Sequence, residues 1–250
     1  MLSQFVWSGS LALEVLLLIR AWQCGLLRRY TLFYAYIGFV VAQDVPRLVA
    51  RMWSEVAYWY TYWISEYLAV LAGCLVVFEI YRIALSEYPG AARLIRNLLL
   101  FVFAMTFAKG LASPAAAHHW LEQATALGIE RLMRTVQGIA IIVLVSLFLA
   151  YSIPFGKNLR GILLGYSLFI AGRVICLTFV LFEGHDFWWY TYSASYTAVL
   201  TVWLAHLWWY YPVPKAQTEG NLERDYQLVA AATQRRFREA AGFLRKAVRS

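Results

Sequence analysis

The stretch WYTYWISEYLAVL, residues 59–71, decides the class of fold. It joins a run of aromatic residues to a long apolar segment that contains one carboxylate, Glu66. Trp and Tyr favour the boundary between a lipid bilayer and water, because the ring is apolar while its polar tip stays wet. The stretch therefore predicts a chain that enters a membrane at its aromatic end and crosses it.

The composition of the whole chain also indicates a membrane protein. Of its 250 residues, 62% are hydrophobic and only 14% are charged, whereas soluble domains are about half apolar and about a quarter charged. The net charge is +8. Because many basic residues lie at the ends of apolar segments and in the C-terminal tail, we expect them to meet anionic lipid and set orientation, and we expect no nucleic-acid partner.

Seven apolar stretches are long enough to cross a bilayer. They lie at about 5–22, 30–50, 60–82, 95–112, 133–152, 161–182 and 191–211. The sequence thus predicts an all-α integral membrane protein. Seven transmembrane helices form a domain over residues 1–211, and a cytoplasmic linker and helix follow over 212–250.

The distribution of Lys and Arg predicts the orientation in the membrane. The connections after the first, third and fifth spans and the tail are rich in basic residues, such as Arg28, Arg96 and Arg160. The other side is poorer, and its basic residues are Arg47, Arg51, Lys109, Arg131 and Arg134. Since basic residues favour the cytoplasm, we expect the N-terminus outside, the C-terminus inside and a location in the plasma (inner) membrane.

The phrase WYTY occurs twice, at 59–62 and at 189–192. The same offset pairs Tyr36 with Tyr166, and it lays the first three spans onto the last three. This predicts a 3+1+3 parallel repeat, with halves at 1–82 and 133–211 and a linker helix at 95–112, and a site between the halves. The alternative is that WYTY is ordinary membrane-interface composition used twice at the same depth.

In span count and orientation, this plan resembles the SWEET-type sugar transporters and the seven-helix rhodopsin-like proteins. The resemblance does not extend to motifs. The second span contains QDVP (43–46) where a SWEET-type protein has a Pro-Gln pair, and the seventh span has no Lys to bind retinal. EIYR (79–82) also differs from the Asp-Arg-Tyr signature of G-protein-coupled receptors. The motifs therefore assign no family.

Ionisable residues inside the apolar spans form the candidate site, because a charge in hydrocarbon is costly and needs a partner. Glu14, Asp44 and Glu66 lie in the first three spans, and Arg173 lies in the sixth. We expect them at similar depth, with one of the three carboxylates or a ligand as the counter-ion of Arg173. Their negative excess predicts a bound cation, a proton, or a small polar or cationic ligand.

Four tyrosines are candidates for the walls of this pocket, because aromatic faces attract cations. They are Tyr36, Tyr62, Tyr166 and Tyr192. The alternative is equally open: the charges form a structural ion pair that locks helix packing.

The tail at 222–249 predicts a basic amphipathic helix. We expect it to lie on anionic lipid of the inner leaflet, and the alternative is that it binds a cytoplasmic protein. The chain has no nucleotide-binding loop and no zinc signature, so the sequence predicts no cofactor and no metal and gives no sign of catalysis.

Three functions fit these features. The leading interpretation is a transporter that binds a small ligand or ion between the two halves. The first alternative is a seven-helix sensor that signals through its C-terminal helix. The second is a structural or assembly subunit of a membrane complex, whose charges only pack helices. A homo-oligomer is compatible with each of the three.

Overall fold

A computed structural model describes residues 2–112, 123–151, 156–183 and 186–211, together with residues 224, 227, 228 and 231 of the C-terminal tail. The described residues form seven α-helices and no strand. The helices are α1 (Leu2–Gln23), α2 (Thr31–Trp53), α3 (Glu55–Ala84), α4 (Pro89–Leu111), α5 (Gln123–Tyr151), α6 (Lys157–Glu183) and α7 (Asp186–Leu207). The predicted tail helix at 222–249 falls largely outside the described residues.

Four of these helices, α2, α3, α5 and α6, are both long enough and apolar enough to cross a membrane. The other three have 22 or 23 residues. At about 1.5 Å per residue each spans roughly 30 Å, the thickness of the hydrocarbon core. The chain is therefore all-helical in its described residues and has the properties of a helical membrane protein. Seven crossings and the N-out, C-in orientation stay predictions.

All seven helices extend beyond their predicted spans at one end or both. α5 begins at Gln123 rather than near residue 133, so Glu130 lies inside it and not in a connection. α2 continues through Pro46 to Trp53, so Arg51 is helical as well as Arg47. The apolar stretches stop at the first charges, whereas the backbone hydrogen bonds that define a helix continue past them.

Six helices form a closed ring in the order α1, α2, α3, α5, α6, α7, and α7 packs back against α1. α4 lies outside the ring, against α3 and α5. The most extensive contacts are those of α2 with α3 and of α6 with α7. This arrangement puts a three-helix unit on each side of the ring, while the internal repeat itself stays a prediction.

Small residues let α6 and α7 approach each other closely. A Cβ atom on Gly165 would collide with the indole of Trp203, and one on Gly172 would lie 3.3 Å from the Oγ atom of Ser195. Because these positions have no side chain, the two helix backbones can approach closely and gain van der Waals contact, which stabilises helix association in a membrane.

The start of α2 is stabilised by a buried carboxylate of α3. Glu79 accepts hydrogen bonds from the backbone N–H groups of Leu32 and Phe33, at 3.0 and 2.8 Å. The first N–H groups of a helix have no partner within it, so an acceptor placed there satisfies them and complements the helix dipole. Arg82 lies 3.4 Å from the same carboxylate.

Candidate ligand-binding cavity

A partly open cavity of about 370 Å³ lies within the helix ring. Helices α1, α2 and α3 line it on one side, and α6 and α7 line it on the other. Five of the predicted site residues are among its lining: Glu14, Asp44, Tyr62, Glu66 and Arg173. The lining reaches Tyr58, in the first turn of α3. The cavity therefore lies toward the end of the bundle where α2 connects to α3.

An ion pair joins α2 and α3 in the wall of the cavity. The Nη2 atom of Arg47 is 3.1 Å from the Oε1 atom of Glu66, and the two side chains are 14% and 8% exposed. Arg47 also donates to the hydroxyl of Ser65 at 2.7 Å, and its guanidinium lies 4.5 Å from the ring centroid of Tyr62. The Oε2 atom of Glu66 is buried and has no hydrogen-bond partner among the described residues.

Hydrogen bonds across the cavity wall join the first helix to the last. The buried carboxylate of Glu14 accepts a hydrogen bond of 2.7 Å from the hydroxyl of Tyr196 on α7. The hydroxyls of Ser10 and Thr197 lie 2.7 Å apart on the same pair of helices. The contact between α1 and α7 is therefore polar at the level of the cavity.

A second polar group extends from the cavity wall into the bundle. The Nη1 atom of Arg173 lies 3.8 Å from the Oε1 atom of Glu130, and the Nε atom of Arg134 lies 3.7 Å from the same oxygen. Arg134 is fully buried and donates to Gln137 at 3.2 Å, while Gln137 donates to the backbone carbonyl of Val70 at 3.0 Å. These contacts connect α6, α5 and α3.

Sequence reasoning missed three members of this constellation. Glu130 lies before the predicted fifth span, while Arg47 and Arg134 lie near the ends of the second and fifth spans, where their charges are read as orienting charges of the outer side. The structure also adds Glu130 to the carboxylates that were candidates for the counter-ion of Arg173. The sequence does contain a pattern that indicates two of these residues. Glu130, Arg134 and Gln137 are spaced by four and three residues, which places polar groups on one face of a helix.

The charges of the cavity and its network do not cancel. The predicted site has three carboxylates and one Arg, an excess of two negative charges. In the structure, the described residues supply four carboxylates and three guanidinium groups, an excess of one negative charge. These groups are Glu14, Asp44, Glu66, Glu130, Arg47, Arg134 and Arg173. An uncompensated charge at such a site is costly, so one positive charge is needed to complete the balance.

An aromatic plug closes the ring on the side of the cavity away from Tyr58. Its members are at most 2% exposed: Phe33, Tyr36, Tyr166, Phe169 and Trp203. The ring centroids of Phe33 and Trp203 are 5.0 Å apart, and those of Phe169 and Trp203 are 6.5 Å apart. The cavity is therefore blocked toward the end where α2 begins and α7 ends.

The predicted tyrosines fall in different places. Tyr62 lines the cavity as expected. Tyr36 and Tyr166 belong to the plug rather than to the cavity wall, because Tyr36 lies about one turn from the nearest lining residue of its helix, Val40, and Tyr166 lies about two turns from Arg173. The side chain of Tyr192 lies outside the described residues.

No protein-family model matches this chain, and comparison with curated proteins and with solved structures gives no match either. The class of protein is therefore set by the fold: an all-helical chain in its described residues, with four helices able to cross a membrane. Its function has to be inferred from the site rather than from the fold.

Proposed function

We propose that this protein is a membrane transporter that binds a small polar or cationic solute in the central cavity and moves it across the bilayer. The observation that carries this proposal is the cavity itself. It lies between two three-helix units, contains ionisable groups from both, and is blocked toward one end by the aromatic plug. A site between two halves, reached from one side at a time, is the arrangement that alternating access requires.

The junctions between the two units support a relative movement. At the α1–α7 junction, Tyr196 donates to Glu14. At the α3–α5 junction, Gln137 donates to the carbonyl of Val70 and Tyr81 donates to that of Ala140. Directional hydrogen bonds of this kind can be exchanged as the units move, whereas the close packing of α2 on α3 and of α6 on α7 persists within the units.

A contact between the units also fastens the blocked end. The Nη2 atom of Arg20, on α1, donates to the backbone carbonyl of Trp208 at 2.9 Å. The guanidinium of Arg20 lies 4.4 Å from the ring centroid of Trp208. Opening the cavity toward this end would require the contact to break, so under this proposal the described conformation is the state that is closed at this end.

The two alternative functions, a structural subunit and a sensor, have less direct support from the described residues. A purely structural role explains the ion pairs but gives no reason for a cavity of about 370 Å³ among them. The sensor alternative depends on the tail helix at 222–249, most of which lies outside the described residues. Transport therefore has the most direct support.

The test is uptake of solutes into proteoliposomes. Vesicles that contain the protein are incubated with a small-molecule extract of the source cells and washed, and their lumen is analysed by mass spectrometry. We expect at least one polar solute to enter vesicles with the wild type, and not empty vesicles or vesicles with Val40→Trp, because Val40 lines the cavity. Val49→Trp is the matched control on the same helix, since Val49 is 47% exposed on the outside of the bundle.

Equal uptake by the wild type and by folded Val40→Trp would contradict transport through this cavity. If no solute enters and charge variants change only stability, the structural interpretation replaces the proposal.

A further inference from the structure

We infer that the solute carries an ammonium-type positive charge and that Glu14 is the group that receives it. This inference rests on the proposed function and names its substrate class. It is argued from the partners of each charged group, the size of the cavity and the surfaces that line it.

The two guanidinium groups in the cavity wall are already engaged by carboxylates. Arg47 pairs with Glu66 at 3.1 Å, and Arg173 pairs with Glu130 at 3.8 Å. Glu14 differs, because its hydrogen-bond partner among the described residues is the neutral hydroxyl of Tyr196, while its side chain is buried. A buried carboxylate with only a neutral donor is not compensated in charge, so it favours a proton or a cationic partner.

A second carboxylate among the lining residues has an acceptor atom without a partner in the described part of the chain. The Oε2 atom of Glu66 lies in a side chain that is 8% exposed, and it has no hydrogen-bond partner among the described residues. Acceptors from α1 and α3 thus line one cavity, in a cluster whose charges lack one positive unit. A ligand with a single positive charge and N–H or polarised C–H donors would supply both the missing charge and a donor for the unpartnered acceptor.

The size and lining of the cavity favour an organic cation over a metal ion. A volume of about 370 Å³ suits a small molecule. Tyr58, Tyr62 and Tyr196 contribute aromatic surface to the lining, and ammonium groups are attracted to such faces. No group of three His, Cys, Asp or Glu side chains in the described part of the chain is arranged to hold a metal ion.

An ammonium group can come from a free solute or from the headgroup of a phospholipid. Both have the same chemistry at Glu14, and the experiment separates them by the lipid that surrounds the protein. In phosphatidylglycerol nanodiscs the cavity is available to an added cation. In phosphatidylcholine nanodiscs, binding of the same cation is weakened only if the headgroup enters the cavity.

The experiment is calorimetric titration of the full chain with choline and with 3,3-dimethylbutan-1-ol, at constant NaCl. The alcohol is the neutral isostere of choline, so the two molecules differ in one atom, a cationic nitrogen in choline and a neutral carbon in the alcohol. We expect choline to bind at least tenfold more tightly than the alcohol, and Glu14→Gln to weaken choline binding at least tenfold. Glu87→Gln is the matched control, because Glu87 is exposed between α3 and α4, and it should bind choline as the wild type does.

Equal affinity for choline and the alcohol, absence of choline binding, or full choline binding by Glu14→Gln would overturn the inference. If Glu14→Gln does not fold, the comparison of the two probes on the wild type still decides. If choline does not bind, but a solute enters vesicles with the wild type and not those with Val40→Trp, then transport through the cavity is supported and the substrate belongs to another chemical class. If both experiments fail, both proposals fall.

Discussion

The rings of Tyr36 and Tyr166 meet edge to face, with 6.3 Å between their centroids. These residues occupy equivalent positions under the offset that relates the two WYTY phrases. A contact between equivalent residues is expected where an axis relates two similar halves, so this pair favours the predicted repeat. An axis of the predicted repeat would pass through the aromatic plug, next to the cavity.

The packing of the aromatic plug predicts that truncating one of its side chains makes the bundle leak. Phe169 packs against Tyr166 and Trp203 and lies 4.9 Å and 5.2 Å from the guanidinium carbons of Arg134 and Arg173. Phe169→Ala should open a path beneath the cavity, so that proteoliposomes lose an entrapped small dye or ion faster than those with the wild type. The measurement is the release rate from sealed vesicles.

Phe101→Ala is the control for this prediction, because Phe101 is 64% exposed on α4. Vesicles with Phe169→Ala that stay as tight as those with Phe101→Ala would show that the plug does not seal the bundle.

The charge balance of the cluster predicts an asymmetry between Arg47 and Glu66. Arg47→Gln leaves a buried carboxylate unpaired and raises the negative excess, so it should lower the free energy of unfolding by about 3 kcal/mol. Glu66→Gln leaves Arg47 without its carboxylate partner but brings the formal charge of the cluster to zero, so it should cost less than Arg47→Gln. Reversible unfolding in mixed micelles measures both changes, and a double-mutant cycle gives the coupling between the two side chains. Equal costs, or a greater cost for Glu66→Gln, would refute this account of the charges.

The contact of α6 with α7 predicts a large effect from a single methyl group. Gly165→Ala should lower the free energy of unfolding by about 1–3 kcal/mol, because the added Cβ meets the indole of Trp203 in a packed interface. Gly38→Ala is the matched control in a helix, since no atom lies within 4 Å of its Cβ position. It should be neutral or should stabilise the helix by about 0.5–1 kcal/mol. Similar behaviour of the two variants would mean that α6 and α7 do not pack as described.

The predicted orientation is tested by two serines in exposed turns. Ser54 lies between α2 and α3, and Ser86 lies between α3 and α4. In a background without the three native cysteines, Ser54→Cys should react with an impermeant maleimide on intact cells. Ser86→Cys should react only after permeabilisation. The reverse pattern would mean that the N-terminus faces the cytoplasm.

The predictable part of the site follows from the cost of burying charge. Glu14, Asp44, Glu66 and Arg173 stand out in apolar runs, and a bundle that hides them from lipid must bring them together. The cavity contains all four. Composition and span length likewise predicted the all-helical fold.

The rest depends on where helices end and how they pack, which local hydropathy does not encode. Arg47 and Arg134 resemble loop charges in the sequence, yet both lie within helices, and Arg134 is fully buried. Tyr36 and Tyr166 are aromatic and near the charges, and only their contact across the helix ring decides that they close the bundle rather than line the cavity. The order of the helices around the ring is also a property of packing alone.

The central claim is that the cavity holds a small molecule, and native mass spectrometry of the gently purified protein tests it most directly. The wild type should retain a bound species of small mass. Val40→Trp should lose that species while staying folded, and Val49→Trp should keep it. A wild type with no bound species under conditions that preserve the fold, or a species that survives in folded Val40→Trp, would contradict the claim.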